Sequence, residues 1–159
     1  MQRLGAAIFL LLLTGQGMAA PAVPHRIMSL KICTDELLMD LAPPSRIASV
    51  TFLSRESAAL KLWPEAARIP VNHNSLEEVL ATRPDLILTD NFTSPQMRAL
   101  LAKSGARVVE VPPAENFNQI RAVTKLVGEA VGAPERARAL IAHMDETLRR
   151  LAAIRPSTS

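Results

Sequence analysis

The sequence predicts an α/β lobe that is built on a parallel sheet and followed by one long helix. Short apolar strands alternate with amphipathic helices, an order that builds parallel sheets through right-handed crossovers. Segment 85–89 (Asp-Leu-Ile-Leu-Thr) is nearly continuously apolar, as expected of a parallel strand covered on both faces. A final helix from Pro134 can run to about Ile154, which would make it about 30 Å long.

The first twenty residues are predicted to be a secretory signal peptide. Arg3 gives a positive start, Ala6–Leu13 is an unbroken apolar run, and small residues follow it. Cleavage is expected between Ala19 and Ala22. The apolar run is too short to cross a bilayer, so a membrane anchor is the weaker interpretation. No second apolar stretch of that kind follows, so the mature chain is not expected to span a membrane.

Apolar periodicity and turn residues predict ten elements in the mature chain. They are strands at 26–30, 46–50, 85–89 and 107–111, and helices at 34–41, 56–62, 75–81, 94–105, 116–131 and 134–154. Thr34 or Asp35 can cap the first helix. Ser75 is an expected N-cap with Glu78 as its capping-box partner, and Pro95 opens the next helix.

Composition excludes several classes of function. A net charge of +3 without a basic cluster gives no basis for nucleic-acid binding. Cys33 is the only cysteine, so no internal disulfide can form. The first strand is followed by no Gly-rich phosphate loop, and no G-x-S-x-G motif is present. The three histidines lack metal-ligand spacing. The sequence therefore predicts no enzyme and no cofactor, although Cys33 with His73 remains a conceivable nucleophile pair in a small exported enzyme.

Four segments resemble the helical-backbone metal receptors, which are the periplasmic substrate-binding proteins for siderophores, haem and cobalamin. The segments are Arg26–Leu38, Arg46–Thr51, Asn74–Leu88 and Leu100–Val111. The most specific of them is Arg-Pro-Asp-Leu-Ile at 83–87, with Glu77 seven residues before its proline.

This resemblance implies a periplasmic, non-catalytic substrate-binding component of an ABC importer for iron-siderophore, haem or cobalamin-like compounds. Members have two lobes that are joined by a stiff helix, and ligand binds between the lobes. Residues 21–133 then form a Rossmann-like first lobe, 134–154 the linker helix and 155–159 a tail. The sequence stops where the resemblance places the second lobe, so we expect a truncated gene, a broken reading frame or a second lobe that is a separate chain.

Candidate ligand-binding residues follow from the rule that crevices in parallel sheets lie beyond the carboxyl ends of strands. By that rule Lys31, Cys33 and Thr34 face the cleft after the first strand, with Thr51 and Asn91 after later strands. Lys31 can meet an anionic ligand. The alternatives are a solvated lysine, a buried small cysteine and a helix-capping threonine.

Glu77 is the candidate partner-binding residue. The resemblance implies that it docks against arginines of the importer's membrane subunits, a directional and charge-assisted contact. The alternative is a glutamate favoured in the first turn by the helix dipole. His73 is interpreted as a turn residue, and Trp63 as either a stacking or a packing residue.

A different class of function remains open. The apolar stripe of the last helix can make the chain an exported, non-transporting interaction module that self-associates. The stripe comprises Ala137, Leu140, Ile141, Met144, Leu148 and Leu151.

Overall fold

The computed structural model describes residues 22–56 and 63–154. The predicted signal peptide, most of the helix predicted at 56–62 and the tail at 155–159 lie outside these described residues.

The described chain folds into five strands and five α-helices. The strands are β1 (Ile27–Ser29), β2 (Ile47–Thr51), β3 (Val71–Asn72), β4 (Leu86–Asp90) and β5 (Arg107–Val111). The helices are α1 (Ile32–Leu41), α2 (Leu76–Thr82), α3 (Pro95–Ala102), α4 (Phe117–Ala130) and α5 (Pro134–Ile154). Short 3₁₀ turns cover Pro44–Arg46, Phe52–Arg55 and Pro64–Arg68.

The strands form one parallel sheet in the order β3-β2-β1-β4-β5, which confirms the predicted fold class. From β1 the chain moves outward through β2 and β3, then returns to the other side of β1 for β4 and β5. The strand order therefore reverses between β1 and β4. In parallel sheets a ligand crevice forms at such a switch point, beyond the carboxyl ends of the strands.

The two central strands are buried on both faces. Along β4, Leu86 and Leu88 face a core cluster with α1, α4 and α5, whereas Ile87 faces a second cluster with α2 and α3. The side chains of Leu86, Ile87 and Leu88 are all 0% exposed. The period-two alternation of strand side chains thus divides a continuous apolar run between two helical layers.

The start of α1 differs from the prediction. Lys31 occupies the N-cap and makes no side-chain cap, while Thr34 and Asp35 lie inside the first turn and are buried. The Thr34 hydroxyl donates to the Lys31 carbonyl oxygen at 2.8 Å. These two residues resemble caps in sequence, but their side chains make hydrogen bonds within the lobe instead.

The predicted capping box of α2 is confirmed. The Ser75 hydroxyl accepts from the Glu78 backbone N–H at 3.2 Å, and the Glu78 carboxylate accepts from the Ser75 N–H, also at 3.2 Å. Helix α3 begins at Pro95 as predicted, with Ser94 as its N-cap, but it ends at Ala102, and Gly105 follows in a turn with φ +83°.

Helix α5 begins at Pro134 and has the predicted length of 21 residues. It packs on α4, where Ala137 is buried and Arg121 pairs with Asp145 at 2.5 Å. Its far end lies away from the core, with Leu151 59% and Ile154 75% exposed. None of the helices in the described ranges is long and apolar enough to cross a membrane.

Candidate functional site

A groove of about 620 Å³ opens at the carboxyl edge of the sheet, beside the switch point between β1 and β4. We call it the carboxyl-edge groove. One side is a face of α1, and the opposite side is the segment after β5 together with α4. Its lining residues are Lys31, Cys33, Thr34, Glu36, Leu37, Asp40, Trp63, Asp90, Phe92, Val111, Pro112, Pro113, Ala114, Ile120, Val123 and Thr124.

An ion pair between Lys31 and Asp90 forms part of the groove lining at the switch point. The Lys31 ammonium lies 3.5 Å from a carboxylate oxygen of Asp90. The other oxygen of Asp90 accepts from the Phe92 backbone N–H and from the Thr93 hydroxyl, each at 3.1 Å. The Asp90 carboxylate is therefore fixed from both sides, and Lys31 has a partner before any ligand arrives.

A second polar contact fixes the indole of Trp63. Its Nε1–H donates to Asp40 on α1 at 3.1 Å. Burial raises the pKa of Asp40, while the indole hydrogen bond and the charge of Arg136 act in the opposite direction. The hydrogen bond holds one edge of the ring, so the remaining surface of Trp63 contributes apolar area to the groove.

Beneath the groove, α1 is tied to the segment after β2 by a buried carboxylate. One oxygen of Asp35 accepts from the Thr51 backbone N–H at 3.1 Å, the Thr51 hydroxyl at 2.5 Å and the Ser54 hydroxyl at 2.6 Å. Asp35 is 0% exposed, and its other oxygen has no hydrogen-bond partner among the described atoms. Burial raises the pKa of Asp35, against the lowering effect of the Ser29 hydroxyl and of these hydrogen bonds from Ser54 and Thr51.

The structure brings together three of the five candidate ligand-binding residues. Lys31, Cys33 and Thr34 all line the carboxyl-edge groove, and Cys33 is exposed there. Thr51 is 1% exposed and donates to Asp35 beneath the groove. Asn91 is exposed beside the lining, where its neighbours Asp90 and Phe92 line the groove instead.

Sequence reasoning missed two features of the groove: the acidic residues on the α1 face and the pairing of Asp90 with Lys31. Cys33, Glu36, Leu37 and Asp40 follow helical spacing, which places them on one side of α1. That spacing could have identified Glu36 and Asp40 once Cys33 was assigned to the cleft. Asp90 carried no local signal, because its pairing with Lys31 depends on β1 and β4 being neighbours.

On the α2 surface the two adjacent glutamates have different environments. The Glu78 carboxylate accepts from the His73 N–H at 2.8 Å and pairs with the His73 ring at 3.0 Å. These contacts with His73, followed by those with Ser75, lower the pKa of Glu78 to about 2. Glu77 is exposed, and its carboxylate makes no hydrogen bond or ion pair with any residue that the structure describes.

Residues 27–158 match the model of the periplasmic binding protein family. The chain belongs to the periplasmic binding protein family. A relative from Bacillus subtilis (strain 168), the uncharacterised ABC transporter substrate-binding lipoprotein YvrC, is 26% identical over 129 residues. That match covers 79% of this chain and 40% of the relative.

Solved structures of similar proteins share the fold. A periplasmic haem-binding protein from Pseudomonas aeruginosa has a TM-score of 0.68 at 24% identity, over 82% of this chain and 46% of that one. The periplasmic vitamin B12 binding protein BtuF of Vibrio cholerae has a TM-score of 0.64 at 19% identity, over 81% and 50%. The chain thus spans about half the length of these solved structures, and the predicted truncation stays a prediction.

Within the described residues, no group of three or more histidine, cysteine or acidic side chains is arranged to hold a metal ion. The site is a groove with an apolar majority and a few fixed polar groups. That is the usual composition of a site that binds an organic ligand rather than a bare cation.

Proposed function

We propose that this chain is the substrate-binding component of an ABC importer and that it captures an iron-siderophore, haem or cobalamin-like compound. The observation that carries the proposal is the carboxyl-edge groove, which lies at the switch point of a periplasmic binding protein lobe. The solved relatives are named for haem and for vitamin B12. The proposal includes no catalytic step and places the protein in the periplasm.

In this proposal the apolar lining contacts the body of the ligand. Trp63 and the 76%-exposed Phe92 offer ring surface, and Leu37 and Val123 add aliphatic area. Lys31, Cys33 and Thr34 contact the ligand from the start of α1. Asn91 reaches it from the rim. Thr51 acts indirectly, because its bond to Asp35 fixes the segment below.

Tryptophan fluorescence tests this assignment directly. Trp63 is the only tryptophan, and the sequence has no tyrosine, so intrinsic emission reports on this one side chain, which lines the groove and also a neighbouring cavity. Haem, ferric siderophores and corrins absorb near the tryptophan emission band and quench it when they bind close by. We expect saturable quenching of the purified protein by haem, ferrioxamine B or cyanocobalamin. Free N-acetyltryptophanamide is the control, because its loss of emission measures the inner-filter effect alone. If every one of these compounds quenches the protein no more than it quenches this control, the proposal is refuted.

Glu77 is proposed to dock the lobe against the importer's membrane subunits. Its exposed carboxylate is available for an arginine, whereas the neighbouring Glu78 is engaged with His73 and Ser75. A charge-assisted hydrogen bond contributes about 1.5–3 kcal/mol, so Glu77→Gln should weaken docking by roughly tenfold or more.

The docking experiment measures stimulation of the importer's ATPase activity in liposomes as the concentration of binding protein is raised. Glu129→Gln is the matched control, since Glu129 is an exposed carboxylate on α4 that pairs with Lys125 at 3.9 Å. Equal half-maximal concentrations for the two variants would refute the assignment of Glu77.

A second candidate function is self-association through α5, because Leu151 and Ile154 are largely exposed. Sedimentation velocity over a hundredfold concentration range distinguishes the two functions. A dimer that Leu151→Glu converts to a monomer favours the interaction module. A monomer at all concentrations removes that candidate.

A further inference from the structure

Lys31, the one cation among the described residues that line the carboxyl-edge groove, is already paired with Asp90. We infer that the groove selects a metal chelate or corrin that has no net negative charge, either neutral or cationic. This inference rests on the proposed function and adds to it the charge class of the substrate.

Among the described residues that line the groove, Lys31 is the only one with a cationic side chain. Its ammonium is 3.5 Å from the Asp90 carboxylate, and the two side chains are only 37% and 21% exposed. A ligand carboxylate that approaches Lys31 would have to compete with this pair or displace it.

Displacement is opposed by the way Asp90 is held. The Phe92 backbone N–H and the Thr93 hydroxyl both donate to its second oxygen. The Thr93 hydroxyl is in turn 2.6 Å from that of Thr89. Because Asp90 cannot turn away without losing these bonds, an anion at Lys31 would also lie next to a fixed carboxylate.

Asp40 lies on the α1 side of the groove. Its carboxylate accepts from the Trp63 indole at 3.1 Å, which holds an acidic group against the ring that would contact the ligand. Arg136 is the cation that acts on Asp40, and it lines the neighbouring cavity rather than this groove. The groove therefore presents Asp40 and Asp90 to a ligand, with one cation that is already engaged.

The remaining lining supports an uncharged ligand body. Leu37, Val111, Pro112, Ile120 and Val123 surround these polar groups with apolar surface. Water displaced from such surface favours an organic ring or chelate scaffold, whereas a polyanion would lose hydration without gaining a free cationic partner.

The test uses two series of probes in which only the charge changes. Ferrioxamine B carries a free ammonium, its N-acetyl derivative is neutral at that position, and its N-succinyl derivative carries a carboxylate there. The corrin pair is dicyanocobinamide, which has amide side chains, and dicyanocobyrinic acid, which has carboxylates. Each is titrated against the purified protein by quenching of Trp63 fluorescence at low and high salt.

In whichever series binds, the cationic or neutral member should bind about tenfold more tightly than the anionic one, and the gap should shrink in high salt as screening increases. Equal or tighter binding of the anionic member overturns the inference and leaves the proposed function standing. Absence of binding throughout both series overturns the proposed function, and the inference falls with it.

Asp90→Asn provides a second, independent readout. The amide oxygen of asparagine can still accept from Phe92 and Thr93, so the local structure is kept while Lys31 loses its ionic partner. This variant should gain about tenfold in affinity for the anionic probe. Glu110→Gln, which removes an exposed carboxylate paired with Arg98 outside the groove lining, should leave the charge preference unchanged. An unchanged preference in Asp90→Asn refutes the role of the ion pair.

Discussion

Replacing Gly128 with alanine should push α4 and α5 apart. A Cβ atom built on Gly128 lies 2.3 Å from the Cβ atom of Ala137, whereas non-bonded carbon atoms are best separated by about 3.5–4.0 Å. The helices would have to separate by roughly 1.2–1.7 Å on that measure. Ala137 belongs to the same core cluster as Val127 and Val131, so the strain reaches the centre of the lobe.

The expected loss of stability follows from two opposing effects. Overpacking of this kind costs about 1–3 kcal/mol, and the displacement required here favours the upper end of that range. Alanine has a higher helix propensity than glycine, which stabilises the helix by about 1 kcal/mol and offsets part of this cost. We therefore expect Gly128→Ala to lower the free energy of unfolding by about 2 kcal/mol, measured by urea denaturation with far-UV circular dichroism.

The compensating change is Ala137→Gly. Alone it should cost about 1–2 kcal/mol, through lost helix propensity and a lost buried methyl group. In the double variant the new methyl group faces the Ala133 carbonyl oxygen at 3.4 Å and the Cα atom of residue 137 at 3.7 Å, which are ordinary contacts. The double variant should therefore be close to wild type, with a coupling energy of about 3 kcal/mol. Additive losses in the double variant would refute the close approach of the two helices.

Three further predictions concern the capping box and the buried carboxylate. Ser75→Ala should lower stability by about 1 kcal/mol in a urea titration, because the Glu78 backbone N–H loses its acceptor, and an unchanged midpoint would contradict the cap. The contacts with His73 lower the pKa of Glu78 from 4.5 to about 2, so its stabilising contribution is present above 4.5 and is lost as pH falls towards 2. Glu78→Gln should flatten stability against pH across that window, and an equally steep profile would disprove the contribution. Burial raises the pKa of Asp35 above 3.8, so its contribution is full below that value and declines as pH rises through the higher folded-state pKa. In Asp35→Asn this dependence is absent, so the stability of the variant relative to wild type should improve from acid to neutral pH; a pH-independent difference would rule out the raised pKa.

The strands of the sheet were predictable where the local sequence alone has the length and the apolar composition of a strand. The Leu-Ile-Leu run of β4 predicts a strand covered on both faces, and its side chains do face two helical layers. Strand β3 was missed because it has only two residues and one of them is Asn72, a residue depleted in strands. Asn72 is buried there because its amide donates to the Ser29 and Val50 carbonyl oxygens, at 2.9 and 3.0 Å.

The candidate site was predictable only in part, because some of its contacts depend on the order of the strands and not on local sequence. The rule for strand ends predicts a cleft position for Lys31, Cys33 and Thr34 from the first strand alone, and all three line the groove. The Lys31–Asp90 pair requires β4 to lie beside β1, and no local pattern in the sequence fixes that order. Asp35 resembles a cap in the sequence because aspartate is common at helix starts, yet its carboxylate bonds to residues 16 and 19 positions further on.

Thiol accessibility tests the central claim, that ligand occupies the carboxyl-edge groove, most directly. Cys33 is the only cysteine, is exposed and lines this groove, so the rate of its alkylation by N-ethylmaleimide reports on the site from the side opposite Val111 and Ala114. The rate is measured by mass spectrometry with and without a saturating amount of whichever probe quenches Trp63. The account predicts that ligand slows the alkylation at least tenfold. A probe that quenches Trp63 to saturation but leaves the alkylation rate unchanged would place the ligand elsewhere and contradict the account.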